Sequence, residues 1–354
     1  MSGLHYVLAF GLAVVLSAVL TPLVRRYALK HGIVDQPDAK RKVHTKPIAY
    51  LGGLAIFVAF VIAVSVFLAP SRQLSGLLLG CAILVGVGVV DDLRGLSPWT
   101  KLGWQFIAAC VALAGGIGIT SLTNPLGGEI VLNNWRFGVD LAGIHFHIAP
   151  VANLLSLIWM VGLANTVNFL DGLDGLACGV SGIAATVMFA LAVGPKVHQP
   201  GVALLAIILA GAAFGFLPYN FYPAKIFMGD SGALFLGLVL AMLAIYSGTK
   251  LATATLVLGF PILDAMWAVT RRLYHHRSPF KADRGHFHHL LLDVGLSQRQ
   301  AVLTLYGVSA AFGTIALVSS SFAKFVALII LALIMAMAIY ILVSLSVKRQ
   351  KLAK

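Results

Sequence analysis

The chain has 354 residues, of which 60% are hydrophobic and 10% are charged, and its net charge is +13. An ordinary soluble domain has about 25% charged residues, so this composition excludes a soluble globular protein and a disordered chain. The apolar segments are continuous and do not alternate with polar residues, which argues against a transmembrane β-barrel. The sequence therefore predicts an all-α polytopic membrane protein.

Apolar segments long enough to cross a bilayer recur along the whole chain. A spanning helix needs about 20 apolar residues, and eleven segments fit: 4–24, 48–69, 74–90, 103–120, 150–168, 176–194, 201–217, 231–247, 251–270, 301–320 and 322–347. The last two form one stretch that is interrupted by three serines and Lys324, so ten helices are the alternative. We expect one integral-membrane domain over residues 1–354.

Residues 121–149, between the fourth and fifth segments, have a different character. They combine strand-forming residues with an Asn133-Asn134 turn. This pattern predicts a small β-hairpin outside the membrane.

The distribution of Lys and Arg predicts the orientation. With the N-terminus outside, 20 of these residues fall in the inner segments and 5 outside, as the positive-inside rule requires. The C-terminus is then cytoplasmic. Most acidic residues also lie near the inner face, which that rule does not explain. An inner face rich in both carboxylates and bases indicates a functional site.

Two acidic motifs end predicted helices on this face. Asp91 and Asp92 end the third segment, where adjacent carboxylates bind a divalent metal or accept a proton, or simply form a solvated helix end. Asn165, Asn168, Asp171 and Asp174 recur every three residues in an apolar context. This spacing predicts a polar pocket, because interhelical hydrogen bonding would explain the two asparagines but not the acids.

A further acid lies in a glycine-rich segment. Asp230 stands in Phe227-Met-Gly-Asp-Ser-Gly, directly before the eighth apolar segment, and Asn220 lies upstream. Glycines permit the close approach of backbone or ligand, and a helix N-terminus favours anions such as phosphate. Asp230 equally fits a plain helix N-cap.

Imidazole and basic groups occur in two inner loops. One loop contains Arg284, His286, His288 and His289; the other contains Lys42, His44 and Lys46. The histidine cluster suits zinc or phosphate, but the surrounding acids favour Mg²⁺ with phosphate, and a plain surface histidine run is the alternative. The first loop is either an ordinary cytoplasmic loop or a contact for an anionic substrate.

All five groups lie on the predicted inner side, and no charge lies near the middle of a predicted span. This pattern argues against an ion pathway or a midplane transport site. It favours chemistry between a soluble anion and a membrane component. A transporter or flippase for an anionic lipid or nucleotide sugar is the alternative.

In combination, these motifs resemble those of the polyprenyl-phosphate N-acetylhexosamine-1-phosphate transferases, which start teichoic acid, O-antigen and peptidoglycan lipid carriers. The resemblance extends from Lys42 to His289. The matching motifs are Val90-Asp91-Asp92, Asn168-Phe-Leu-Asp171-Gly-Leu-Asp174-Gly, Phe227-Met-Gly-Asp230 and His286-Phe-His288-His289. The last motif looks like the branch that uses UDP-GlcNAc, because the peptidoglycan branch has three consecutive histidines.

The resemblance implies a reaction in the bacterial cytoplasmic membrane. UDP-GlcNAc and undecaprenyl phosphate would give undecaprenyl-diphospho-GlcNAc and UMP, with Mg²⁺ or Mn²⁺ as cofactor. UDP-MurNAc-pentapeptide and UDP-GalNAc are the alternative donors. A homodimer is compatible with this assignment, and no nucleic-acid partner is expected.

The resemblance also implies roles for individual residues. Asp230 would be the principal Mg²⁺ ligand, Asp91 the base or the covalent nucleophile, and Asp92 would assist or lie near the metal. The residues expected to contact the nucleotide are Asn168, Asp171, Asp174, Asn220 and Phe227. The residues expected to contact the diphosphate or the sugar are Arg284, His286, His288, His289, Lys42, His44 and Lys46. The peptidoglycan branch has a lysine shortly after the acid pair, where this chain has Arg94 and then Gly95.

Overall fold

A computed structural model describes residues 2–36, 47–141, 144–195, 197–247, 251–276, 278 and 285–352. The helices in these ranges are α1 Gly3–Lys30, α2 Gly52–Phe67, α3 Arg72–Arg94, α4 Pro98–Ala114, α5 Pro150–Leu170, α6 Leu176–Val193, α7 Pro200–Asn220, α8 Gly229–Tyr246, α9 Leu251–Val257, α10 Gly259–Tyr274, α11 Phe287–Asp293, α12 Gln298–Val318 and α13 Ser321–Leu352. The strands are β1 Val34–Asp35, β2 Ile48–Ala49, β3 Ser121–Thr123, β4 Glu129–Val131, β5 Phe137–Leu141 and β6 Ile144–Ile148.

Helices account for every predicted apolar segment. Among the described helices, eight are long and apolar enough to cross a membrane: α1, α3, α5, α6, α7, α8, α12 and α13. Helices α9 and α10 together make a ninth candidate, while α2 is apolar but only 16 residues long. The structure thus confirms a polytopic, mostly helical membrane protein; the count of eleven spans and the orientation stay predictions.

The ninth predicted segment is broken rather than continuous. Its two halves, α9 and α10, are bent by 76°. The break falls beside Gly259 and Pro261, and proline cannot donate the backbone hydrogen bond that a straight helix needs at this point. The bend directs α10, with its polar residues, to a different part of the molecule from α9.

Helix α8 lies at the centre of the bundle. It packs against α3 and α5, and all of its residues from Ser231 to Ile245 are buried. Helix α7 packs against α1 and α6. In contrast, α1 and α13 expose many large apolar side chains, as expected of helices that face lipid.

The predicted outer hairpin is two hairpins. Strand β3 pairs with β4 and β5 pairs with β6, both antiparallel. Gly127 and Gly128, both with positive φ, form the first turn, because glycine adopts this conformation at low cost. Asn133 and Asn134 consequently connect the two hairpins and do not form a hairpin turn.

Candidate active site

The junction of α3 and α4 brings a lysine back to the acid pair. Gly95, with φ of 67°, ends α3, and Ser97 caps the next helix, which starts with Pro98. Serine at the cap and proline at the first position are strong helix-start signals. Lys101 therefore lies in the first turn of α4, where its Nζ is 3.0 Å from Asp91 Oδ2.

Close packing of α3 on α8 positions the second aspartate. A Cβ at Gly88 would overlap the backbone of Ser231, so only glycine permits this approach. Asp92 accepts hydrogen bonds from the Asp230 N–H at 2.9 Å and from Ser231 Oγ at 3.0 Å. Gly229 has φ of 71° and leaves no room for a Cβ beside Asp92. Asp92 thus anchors the start of α8 and orients Asp230.

Asp91 and Asp230 share one cation. Lys101 Nζ is 2.9 Å from Asp230 Oδ2 as well as 3.0 Å from Asp91 Oδ2. Asn168 Nδ2 donates to the other oxygen of Asp230 at 2.9 Å, and the Leu96 N–H donates to Asp91 Oδ1 at 2.6 Å. We call this group the acid–lysine cluster: Asp91, Lys101 and Asp230. Its two carboxylates are positioned to hold a positive charge between them.

Hydrogen bonds connect two loops beside this cluster. Asp174 accepts from the Ala224 N–H at 2.9 Å. Buried Asn220 accepts from the Gly175 N–H at 3.1 Å and donates to the Ile226 carbonyl at 3.1 Å. Asp174 and Asn220 therefore set the distance between the turn after α5 and the loop before α8.

The surroundings of Asp171 disfavour its ionised form. It follows the last residue of α5. Burial and the carboxylates of Asp230 and Asp92 raise the pKa of Asp171 well above its usual value. A cation that binds here would favour the ionised form of Asp171.

Aromatic residues form another wall of the site. The Phe227 N–H donates to the Ala49 carbonyl at 2.8 Å, and the rings of Tyr50 and Phe227 are 5.9 Å apart. Tyr50 is hydrogen-bonded to Asp35, and burial together with that carboxylate raises the pKa of the Tyr50 phenol. The Tyr50 phenol therefore stays protonated, and its uncharged ring lies beside that of Phe227.

These elements enclose a cleft of about 840 Å³. The sequence-predicted residues that line it are Asp91, Asp92, Asp171, Asp174, Asn220, Phe227, Asp230 and His289. Further lining residues that the sequence analysis missed are Arg25, Asp35, Tyr50, Lys225 and Gln298. Asn168 reaches the site through its hydrogen bond to Asp230. The cleft thus joins carboxylates, cations and aromatic rings in one space.

The histidine motif is divided between the cleft and the interior. His289 lines the cleft, whereas His286 and His288 are 6% and 1% exposed and are not among its lining residues. His286 is hydrogen-bonded to Asp264, which keeps its ring behind the cleft wall. Lys42, His44, Lys46 and Arg284 lie outside the described residues.

Comparisons with known proteins identify the family of the chain. Residues 74–248 match the model of glycosyl transferase family 4. The chain is 34% identical over 328 residues to the Bacillus subtilis (strain 168) protein named "Probable undecaprenyl-phosphate N-acetylglucosaminyl 1-phosphate transferase", covering 90% of this chain and 86% of that protein. The chain belongs to the polyprenyl-phosphate N-acetylglucosamine-1-phosphate transferase family. The family predicted from the motifs is therefore confirmed.

Other relatives carry similar names. The decaprenyl-phosphate N-acetylglucosaminephosphotransferase of Mycobacterium tuberculosis (strain ATCC 25618 / H37Rv) is 33% identical over 332 residues, covering 83% of this chain and 77% of the relative. The undecaprenyl-phosphate alpha-N-acetylglucosaminyl 1-phosphate transferase of Haemophilus influenzae (strain ATCC 51907 / DSM 11121 / KW20 / Rd) is 31% identical over 316 residues, with coverages of 85% and 83%. The reaction class is thus sugar-phosphate transfer to a polyprenyl phosphate.

Lys101 is another residue of the site that the sequence analysis missed. Arg94 is the first basic residue after the acid pair, but it is exposed and lies outside the acid–lysine cluster. The signal was present in Ser97-Pro98, because these residues predict a helix start just before Lys101, and helical side chains tilt towards the N-terminus of their own helix. Distance along the chain was the wrong criterion.

Proposed function

We propose that this transferase moves N-acetylglucosamine 1-phosphate from UDP-GlcNAc to undecaprenyl phosphate on the inner face of the bacterial cytoplasmic membrane. The products are undecaprenyl-diphospho-GlcNAc and UMP, the first membrane step of a cell-envelope glycopolymer. The names of the relatives support the sugar and the lipid class. The acid–lysine cluster, whose Asp91 and Asp230 line the cleft, is the observation that carries the chemistry.

The proposed reaction exchanges one phosphorus–oxygen bond for another. An oxygen of the lipid phosphate attacks the phosphorus that bears the sugar, and the bond from this phosphorus to the oxygen of UMP breaks. Asp91 takes the proton of the lipid phosphate, and UMP leaves with the electron pair of the broken bond. Two anions must meet for this step, so catalysis depends on positioning and on positive charge.

Mg²⁺ fits the donor set as one source of that charge. Within the described residues, no three carboxylate, imidazole or thiol groups are arranged as a complete metal site. Mg²⁺, however, is usually bound by one or two carboxylates together with waters and substrate phosphates. Asp230 lines the cleft beside Lys101, so this residue would hold the metal, while Asp91 accepts the proton. When bound, it would neutralise charge on the diphosphate.

The rest of the cleft supports a nucleotide sugar as donor. Phe227, with Tyr50 beside it, offers a ring on which uracil stacks. His289, Arg25 and Lys225 supply donors for phosphate or sugar oxygens. The described residues thus provide one group for each part of the nucleotide sugar.

The decisive test is UMP release by detergent-purified protein. Undecaprenyl phosphate and Mg²⁺ are supplied with UDP-GlcNAc, UDP-GalNAc or UDP-MurNAc-pentapeptide, each with and without EDTA. We expect release with UDP-GlcNAc alone, and none in EDTA. Release with another donor only would keep the chemistry and overturn the donor. No release from any donor by folded protein would contradict the proposal and favour a transporter.

A second measurement separates the two roles of Asp91. If Asp91 were a covalent nucleophile, labelled UMP would exchange into UDP-GlcNAc without any lipid acceptor. We propose the base role, in which the Asp91 carboxylate, kept ionised by Lys101 and the Leu96 N–H, accepts the proton of the lipid phosphate. This role predicts no exchange in the absence of undecaprenyl phosphate.

A further inference from the structure

A buried polar network lies directly behind the histidine motif. It contains Asp264 and Arg272 on α10 and His286 before α11, all at most 6% exposed. Asp264 Oδ2 is 3.1 Å from His286 Nδ1, and Asp264 Oδ1 accepts from the Phe287 N–H at 2.7 Å. Both oxygens of the carboxylate thus hold the same short segment.

The Phe287 contact fixes where α11 begins. His286 occupies the cap position of this helix but makes no side-chain cap bond. The carboxylate of Asp264, 23 residues earlier in the sequence, instead accepts a hydrogen bond at the start of this helix. Hydrogen bonds to a charged acceptor are stronger than neutral ones, so this contact ties the first turn of α11 to α10.

The same network determines which His286 nitrogen carries the hydrogen. Arg272 Nη2 is 3.2 Å from His286 Nε2, and a guanidinium only donates hydrogen bonds. Nε2 must therefore accept, so Nδ1 carries the hydrogen and donates it to Asp264. The buried negative and positive charges of Asp264 and Arg272 are joined through one imidazole.

A row of three imidazole rings connects this network to the cleft. The His286 and His288 rings are parallel at 5.5 Å, and the His288 and His289 rings are 4.4 Å apart. His288 also packs directly on Gly172, where a Cβ would overlap its Nε2. Gly172 and His289 both line the cleft. A shift of His286 would consequently move two parts of the cleft wall.

We propose that Asp264 is a positioning residue for the donor substrate: it fixes the start of α11 and the hydrogen-bonding direction of His286, and thereby places His289 in the cleft. This inference rests on the proposed function, because the substrate that His289 would contact is UDP-GlcNAc. Asp264 itself does not line the cleft, so its effect must pass through the histidines.

The substitution Asp264→Asn tests this at nearly constant shape. An amide offers one acceptor and one donor, while the site needs two acceptors. One orientation places an N–H group against the Phe287 N–H; the other forces His286 to donate from Nε2 towards Arg272. We expect the KM for UDP-GlcNAc to rise about tenfold or more, with the KM for undecaprenyl phosphate unchanged. Asp293→Asn, which removes an exposed charge from the end of α11, is the matched control.

A purely structural role predicts a different pattern. Loss of folded protein lowers the apparent kcat and leaves both KM values as they were, and this result would overturn the inference. The pair Asp264→Asn and His286→Ala supplies a second criterion. If Asp264 acts through His286, the double variant is no worse than His286→Ala alone; multiplied effects would contradict the proposal.

The remaining outcomes are also decisive. If Asp264→Asn does not fold, Asp264→Glu carries the test, because it keeps the charge and displaces the carboxylate. Wild-type kinetics of Asp264→Glu, or failure of both variants to fold, would overturn the positioning role. Wild-type protein without UMP release would overturn the proposed function itself, and this inference with it.

Discussion

Replacing Lys101 with methionine removes one charge from the centre of the acid–lysine cluster and nearly preserves side-chain length. The lost ammonium lies 3.0 Å from an oxygen of Asp91 and 2.9 Å from an oxygen of Asp230. The Lys101 side chain is 25% exposed, so these ion pairs are partly shielded from water. Two neighbouring carboxylates would then face an anionic substrate without a covalently attached cation between them.

The expected loss of kcat/KM in Lys101→Met follows from these contacts. A hydrogen bond to a charged group contributes about 1.5–3 kcal/mol, and Lys101 makes two. Partial exposure favours the lower end of the range, which gives about 3 kcal/mol. If this stabilisation acts in the transition state, kcat/KM falls about 100-fold or more, since about 1.4 kcal/mol corresponds to a factor of ten.

The assay is UMP release by purified protein, with folding checked by thermal unfolding in detergent. Lys101→Arg keeps the charge and should retain more activity than Lys101→Met. Arg94→Met is the matched control, because Arg94 is exposed, closer to the acid pair in sequence and outside the acid–lysine cluster. If Lys101→Met kept kcat/KM within about threefold of wild type while folded, the reasoning from the acid–lysine cluster would be refuted.

Three further predictions follow from the same geometry. Asp230→Asn should lower Mg²⁺-dependent UMP release below about 1% of wild type, and wild-type activity in a magnesium titration would remove Asp230 from the metal site. Gly229→Ala, strained by positive φ and by overlap with Asp92, should lower the unfolding temperature and the activity; Gly86→Ala on α3, which has open space around it, should do neither. Burial, with His289 and His286 nearby, holds the pKa of His288 well below its usual value, so unfolding takes up a proton below about pH 6.5. As the pH falls from about 7.5 to about 5.5, this uptake should therefore lower the unfolding temperature of wild type relative to that of His288→Gln; a difference between the two that does not change with pH would show that His288 is not the group that titrates.

The helical organisation was predictable because it depends on local properties. The length of an apolar run decides whether a helix can cross a bilayer, and each of the eleven predicted runs is helical in the structure. The acid motifs and the histidine motif identified the family for a similar reason: residue types at fixed short spacing can be read without knowing the fold. The bend between α9 and α10 carried a local signal as well, in Gly259 and Pro261, although apolar length alone masked it.

The contacts of the site depend on how distant helices pack. Lys101 meets Asp230 across 129 positions of sequence, and only the packing of α3 and α4 against α8 brings the two together. Asp92 is similar: the sequence places it beside Asp91, and only the structure shows its two hydrogen bonds to the start of α8. The distance between the ends of two helices cannot be predicted from the spacing of residues along the chain.

The histidine motif shows this division within a few residues. Its sequence by itself determined that imidazoles accumulate near the acids, and so indicated the family and the reaction class. The tertiary structure decided which imidazole reaches the cleft, because Asp264 and Arg272 on the bent helix α10 hold His286 in the interior and leave His289 at the surface of the cleft. A short motif specifies the chemical groups that are present, while the direction in which each group points is set by partners that long-range packing supplies.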